Sequence, residues 1–226
     1  METAEYYKDK NYTAKMPEKY IACVKEIMER VFNLIFSIPC QMNSIIDIGC
    51  NRGEWLSVIG QLGIQDLLGI DGEWVPKESL FINEKEFIAH DLEHTLRLQR
   101  KYDMAICLET AEHLSESRAD SFVEDLSTIS DLVLFGAAIP LQGGRHHINE
   151  QFPDYWIDKF IKQGYFVCDI RDTIKKCCGD YWWYAQNTFL FVKRHKRGAY
   201  PLLMECKSIF SYVHSELLKR YKGAVK

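Results

Sequence analysis

What this chain lacks bounds it first. No apolar run approaches the roughly 20 residues that cross a bilayer, so the sequence predicts no membrane span. The opening stretch Met1-Glu2-Thr3-Ala4-Glu5 is acidic and polar, and does not read as a secretory leader. Eight cysteines are scattered along the chain without a CxxC pair, and Cys177-Cys178 has no second pair spaced to complete a zinc site. Reduced thiols and a cytoplasmic protein are expected. Charge of one sign is also missing: 28 Lys and Arg against 32 Asp and Glu leave a net charge of −4, which does not favour a nucleic-acid partner. The short basic run Lys193-Arg194-His195-Lys196-Arg197 reads as a solvated loop after a strand. No repeat or low-complexity segment appears.

What is present suits one α/β domain with additions: 226 residues, 47% of them apolar. Residues 1–17 are polar and tyrosine-rich and read as an N-terminal arm or lid. Residues 18–37 carry apolar positions at helical spacing, with Pro17 suited to the start. Strands are then predicted at 44–48, 66–70, 86–89, 103–108 and 131–138, with helices at 53–61, 115–128 and 153–163. Runs such as Leu132-Val133-Leu134-Phe135 imply strands covered on both faces, as in a parallel sheet between helices. Two further strands, near 164–168 and 188–192, lack a long helix between them and predict an antiparallel pair at the sheet edge. The main domain is expected over 18–200, with a terminal helix at 203–220 packed on it within residues 201–226.

The chemistry gathers at the strand ends, where open α/β sheets bind ligands. Ser44-Ile45-Ile46-Asp47-Ile48-Gly49-Cys50-Asn51-Arg52-Gly53-Glu54 reads as a strand, a tight turn and a helix start. Glycines there let backbone come close to a ligand. The spacing Gly49-x-x-x-Gly53 lacks the third glycine of a dinucleotide fingerprint, so it suits a ligand without phosphates. Asp71 and Gly72 end the second strand, Asp91 and Leu92 the third, and Cys107 and Leu108 the fourth. An acid at Asp71 can accept from both hydroxyls of a ribose, although Asp-Gly is also a common turn pair. Asp91 suits an exocyclic amine, or caps the next helix.

In order and spacing, these motifs resemble those of class I S-adenosylmethionine (SAM)-dependent methyltransferases. The resemblance covers about residues 40–193 and implies a Rossmann-like sheet, mostly parallel with an antiparallel C-terminal pair. It also implies SAM as cofactor, held by Asp47, Gly49, Cys50, Asn51, Gly53, Asp71, Gly72, Asp91, Leu92, Cys107 and Leu108. The loop Gly143-Gly144-Arg145-His146-His147-Ile148-Asn149-Glu150 and the aromatic run Tyr181-Trp182-Trp183-Tyr184 resemble a bacterial subgroup of polysaccharide and secondary-metabolite pathways. That implies a small polar acceptor, methylated on a hydroxyl or, second, an amine.

A hydroxyl acceptor must lose its proton, and histidine titrates near neutrality. His147 is the first candidate base and His113 the second; either could instead be a loop histidine serving backbone groups. If the stretch is helical, Glu109, Glu112 and His113 share one face. With His147 they would offer two carboxylates and two imidazoles, a set able to hold a divalent ion. Glu-x-x-Glu-His resembles the metal site of small-RNA ribose methyltransferases and ubiquinone-pathway O-methyltransferases. The preferred reading is plainer: Glu112-His113 braces the loop and no metal is used. Two rivals are a non-catalytic SAM-binding protein and an RNA methyltransferase; the acidic balance and the absence of a basic, aromatic-laced surface argue against RNA.

Overall fold

The computed structural model describes residues 15–35, 42–206 and 213–224. Most of the expected arm, residues 1–14, lies outside these. The first helix, α1, spans Glu18–Ile35 and buries Cys23, Val24, Ile27, Met28, Val31 and Ile35, the stripe that its periodicity predicted.

Seven strands form one sheet: β1 (Ser44–Ile48), β2 (Asp66–Asp71), β3 (Phe87–Ala89), β4 (Met104–Leu108), β5 (Leu132–Gly136), β6 (Tyr165–Asp169) and β7 (Phe189–Lys193). Their order is β3-β2-β1-β4-β5-β7-β6. The first five pair in parallel, with Ile46 against Leu68 on one side and Ala105 on the other. β7 enters antiparallel between β5 and β6. This is the mixed Rossmann-like sheet expected from the sequence.

The intervening helices are α2 (Glu54–Gln61), α3 (Ala119–Ile129), α4 (Pro153–Lys162), α5 (Arg171–Ile174) and α6 (Trp182–Asn187). Alternate residues of each strand join different cores. Ile45, Met104, Leu134 and Leu190 face α1 and α2, whereas Ile46, Ala105, Phe135 and Phe191 face α3 and α4. Burial on both faces is why these strands read as continuous apolar runs. On the second face Phe160 stacks on Phe191 at 4.0 Å, and Phe135 meets Trp156 and Phe160 at 5.4 and 5.2 Å.

Several details differ from or add to the expectation, among them β5, which ends at Gly136 rather than at 138. The stretch 115–128 begins as a 3₁₀ turn at Glu116–Arg118 before α3. Between β6 and β7 lie two short helices, α5 and α6, too brief for their periodicity to show. The terminal helix does not start at 203: residues 203–206 are non-helical, 207–212 lie outside the described residues, and α7 spans Ser215–Ala224. Cys206 N–H instead bonds Val167 C=O at 2.9 Å, so that stretch runs beside β6.

Buried Arg118 fixes the loop after β3. It donates to Leu92 C=O at 2.9 Å, to His94 C=O at 3.0 Å and to Ser121 Oγ at 2.7 Å, and pairs with buried Asp125. Asp125 also takes Leu96 N–H at 2.8 Å. Arg97, half exposed, also pairs with Asp125, so Arg118→Ala removes the buried one of two cations, and the expected loss in the urea-unfolding free energy stays below the roughly 3–5 kcal/mol of a fully uncompensated buried charge.

Candidate active site

At the C-terminal end of β1 the chain bends through three left-handed residues: Gly49 (φ 81°), Asn51 (φ 52°) and Gly53 (φ 80°). Gly49 N–H and Cys50 N–H both bond Ile70 C=O, at 2.8 and 3.1 Å, and tie the bend to β2. The space that these glycines vacate is used by the protein itself. A Cβ at Gly49 would sit 2.2 Å from Thr110 Oγ1, and one at Gly53 would sit 2.8 Å from Ile82 Cγ1. The glycines are thus required by backbone conformation and by packing around the bend.

Asp71, on the neighbouring strand, braces this turn. One of its carboxylate oxygens accepts Asn51 N–H and the other Gly72 N–H, both at 2.7 Å. The Trp74 side chain also bonds Asp71, and its ring lies across Gly72, where a Cβ would meet Cζ2 at 2.1 Å. Trp74 was not picked out from the sequence; its spacing from Asp71 signals nothing by itself.

Three carboxylates meet here: Asp47, Glu54 and Asp71. Asp47 is 4% exposed, and burial, with Asp71 and Glu54 alongside, holds its carboxyl well above the ordinary value. Burial pushes Glu54 up to about 7, despite bonds from backbone amides, and Asp71 is raised by the same cause. Arg52 donates to Ser79 C=O at 2.8 Å and lies over the Phe81 ring, and its charge offsets only part of the effect of burial on Glu54. Such a cluster is stabilised by a cation arriving from outside.

Asp91 and Leu92 follow β3. Asp91 is exposed and accepts Glu93 N–H at 3.0 Å in a local turn, with no helix after it for Asp91 to cap; Leu92 is buried. Cys50 and Cys107 are buried too, Cys107 completely, while Leu108 is partly open.

On the other side of β4, Glu109 has a left-handed backbone (φ 53°). Its carboxylate accepts Gln142 Nε2 at 2.5 Å and Asn187 Nδ2 at 2.8 Å. Burial pushes it up to about 7, against those two bonds. The expected helical face is absent, since only Ala111–His113 form a single 3₁₀ turn. Glu109 is therefore apart from Glu112 and His113, which do meet His147: one ligand atom from each lies within 4.8 Å of the others. His113 and His147 rings pack edge to face at 4.8 Å. Burial, with His147 next, lowers His113 to about 4. Glu112 is fully buried, and neither carboxylate oxygen has a well-formed hydrogen bond. Burial and then Glu109 hold it well above the ordinary value.

The loop after β5 positions His147. Its Nδ1 lies 2.9 Å from Glu150 Oε1, and its Nε2 lies 3.9 Å from Glu112 Oε1. Glu150 also accepts Leu141 N–H at 2.7 Å and Gly143 N–H at 2.9 Å. The ring covers Gly144, where a Cβ would be 2.1 Å from Nε2. The His147 ring is thus oriented by a carboxylate. The three-residue spacing of His147 and Glu150 was visible in the sequence; the roles of Gln142 and Asn187 were not.

Among known families, one described as a methyltransferase domain matches residues 12–133. The chain belongs to this family: it is a SAM-dependent methyltransferase. No curated protein matches it. Among solved structures, DesVI of Streptomyces venezuelae superposes with a TM-score of 0.57 at 12% identity, over 84% of this chain and 94% of that one. Magnesium protoporphyrin IX methyltransferase of Synechocystis PCC 6803, with bound SAH, gives 0.53 at 14% identity, over 80% and 89%. The methyltransferase domain of a bacterial Hen1 gives 0.52 at 18% identity, over 77% and 98%. Each is similar in fold. Among the described residues, no helix is long and apolar enough to cross a membrane.

Gly49→Ala is expected to cost about 1–3 kcal/mol from backbone strain alone, with the Thr110 collision in addition. A lowered denaturation midpoint in urea checks it.

Proposed function

We propose that SAM lies across the bend after β1 and that the enzyme methylates a hydroxyl, or second an amine, of a small polar acceptor such as a sugar or nucleotide-sugar. The observation that carries this reading is the Asp47, Glu54 and Asp71 cluster, whose carboxyls stay raised although the Arg52 charge acts on Glu54. SAM brings a sulfonium and an ammonium. Asp71 faces the ribose in this reading, Asp47 the methionine amino group, and Asp91 with Leu92 the adenine. The acidic overall balance again disfavours RNA.

Methyl transfer is an in-line displacement. The acceptor lone pair attacks the methyl carbon, the carbon–sulfur bond breaks, and the sulfonium becomes a neutral thioether. The protein contributes chiefly by alignment. With Nδ1–H donated to Glu150, the His147 Nε2 lone pair takes the acceptor proton. His113, held neutral near pH 7, is the weaker base.

One observation favours a second reading of the same residues. Glu112 is a buried carboxylate without a well-formed bond beside two imidazoles, and this donor set fits a divalent ion. Glu112, His113 and His147 would hold it, without Glu109. A bound ion would lower the pKa of the acceptor hydroxyl. Dialysis against a chelator and manganese titration followed by electron paramagnetic resonance separate the two readings: unchanged turnover and no bound signal leave His147 as base.

His147→Ala should leave SAM affinity within about twofold and lower turnover by about 10²–10⁴, the usual worth of a general base. Assays of SAH release across sugar-nucleotide pools, beside SAM calorimetry, check both parts. SAM binding should also release protons. Glu54 with a value of about 7 is largely protonated at about pH 6, and an arriving cation favours its ionised form. Calorimetry in two buffers of different ionisation enthalpy should therefore show net release at about pH 6, fading as the pH rises past the Glu54 value.

A further inference from the structure

A cavity of about 380 Å³ lies between α1 and the segment leading into α6, away from the methyl-transfer site. Cys23, Cys177, Cys178, Glu26, Asp180 and Tyr181 line it. Cys177 and Cys178 both turn their sulfurs to Ile174 C=O, at 2.8 and 3.2 Å. Cys23 Sγ approaches Cys178 C=O at 3.7 Å, from 155 residues away in sequence.

Cys178 thus lies between the other two, sharing a carbonyl acceptor with Cys177 and offering its own carbonyl to Cys23, and the three thiols do not close around a point. Among the described residues, the only donor set mutually within 4.8 Å is Glu112, His113 and His147. A row suits sequential thiol–disulfide exchange better than coordination of one ion. Its two ends differ. Cys177 is 9% exposed against 4% for Cys23 and 1% for Cys178. The neighbouring Cys178 holds the Cys177 thiol below its ordinary value, with Arg30 assisting and burial and Glu26 opposing. The thiolate is the reactive form, so the end nearest solvent is the nucleophilic one.

We propose that this cavity is an oxidation site for small hydroperoxides, with Cys177 as the reacting thiolate and Cys178 and Cys23 as its successive partners. Cys177 attacks one peroxide oxygen, the O–O bond breaks, and the alcohol or water leaves with a proton, giving Cys177 sulfenic acid. The Cys178 sulfur then displaces hydroxide, which departs as water with the thiol proton, forming a Cys177–Cys178 disulfide. Adjacent Cα atoms are only about 3.8 Å apart, below the roughly 4.4–6.8 Å that disulfides prefer, so this bond is strained. Cys23 attacks Cys178 and releases Cys177 as a thiol. In sum, one peroxide and two thiols give one alcohol or water, one further water and a Cys23–Cys178 disulfide. That bond joins α1 to the approach to α6, the two elements whose Tyr20 and Tyr184 hydroxyls meet at 3.1 Å beside Trp55 of α2.

The test treats the reduced full-length protein with an equimolar amount of hydrogen peroxide, then alkylates and maps it by mass spectrometry. The expected main product is a peptide pair joined through Cys23 and Cys178, with Cys177 and the more open Cys206 alkylated. In Cys23→Ser the reaction should stop at a Cys177–Cys178 disulfide. In Cys177→Ser the cross-link should form at least about tenfold more slowly. Cross-linking of Cys177→Ser at the wild-type rate overturns the proposal. So does a wild-type map in which Cys206 is oxidised while the three cavity thiols are alkylated. The wild-type map decides alone if a variant does not fold.

Discussion

The repulsion among buried carboxylates at the ends of β1 and β2 is the constraint on which the site depends. Asp47, Glu54 and Asp71 are brought together by the strand register, which sets Asp47 opposite Gly69 and Ile48 opposite Ile70, and by the bend that starts α2 directly after Gly53. Three anions in one dry pocket are costly unless protonated or joined by a cation. Part of the cost is offset by backbone: Asp71 accepts two amides at 2.7 Å, and Glu54 accepts Arg52 N–H at 3.1 Å. Asp47 has no such bond among the described residues. The left-handed residues of the bend, and the Thr110 and Ile82 side chains packed on its glycines, keep the cluster from relaxing.

Glu109, after β4, is held by a different logic, through side-chain amides. Gln142 and Asn187 hold Glu109, and Gln186 bonds Gln142 at 3.2 Å and Asn187 at 3.1 Å. Gln186 also accepts His214 N–H at 2.7 Å, and His214 stacks on Trp182. The C-terminal segment therefore reaches the residue after β4 through three amides. A fully bonded network of this kind fixes geometry, which alignment for displacement requires.

Much of the fold was legible because its signals are local. Apolar runs of five residues, turn glycines and the α1 stripe each follow from short-range rules. The bend after β1 was legible for the same reason: Asp47 through Glu54 is one continuous segment. Contacts between distant segments were not. Nothing in the sequence says that Asn187 meets Glu109 or that Trp74 folds back over Gly72, since side-chain amides and indoles carry no periodic signature. The expectation for Glu109, Glu112 and His113 failed on backbone conformation: a helical spacing was assumed where the chain turns left-handed at Glu109. The terminal helix was placed too early because residues 203–206, though partly apolar, follow β6 in an extended path.

The order of strands has a bearing on synthesis. β6 is made before β7, yet β7 is the strand it pairs with, and β7 alone joins it to β5. Until Phe189–Lys193 has emerged from the ribosome, β5 keeps an open edge and Tyr165, Phe166 and Val167 have no neighbouring strand. The nascent chain thus carries two unpaired apolar edges through this interval, the kind of surface on which chains aggregate or chaperones bind.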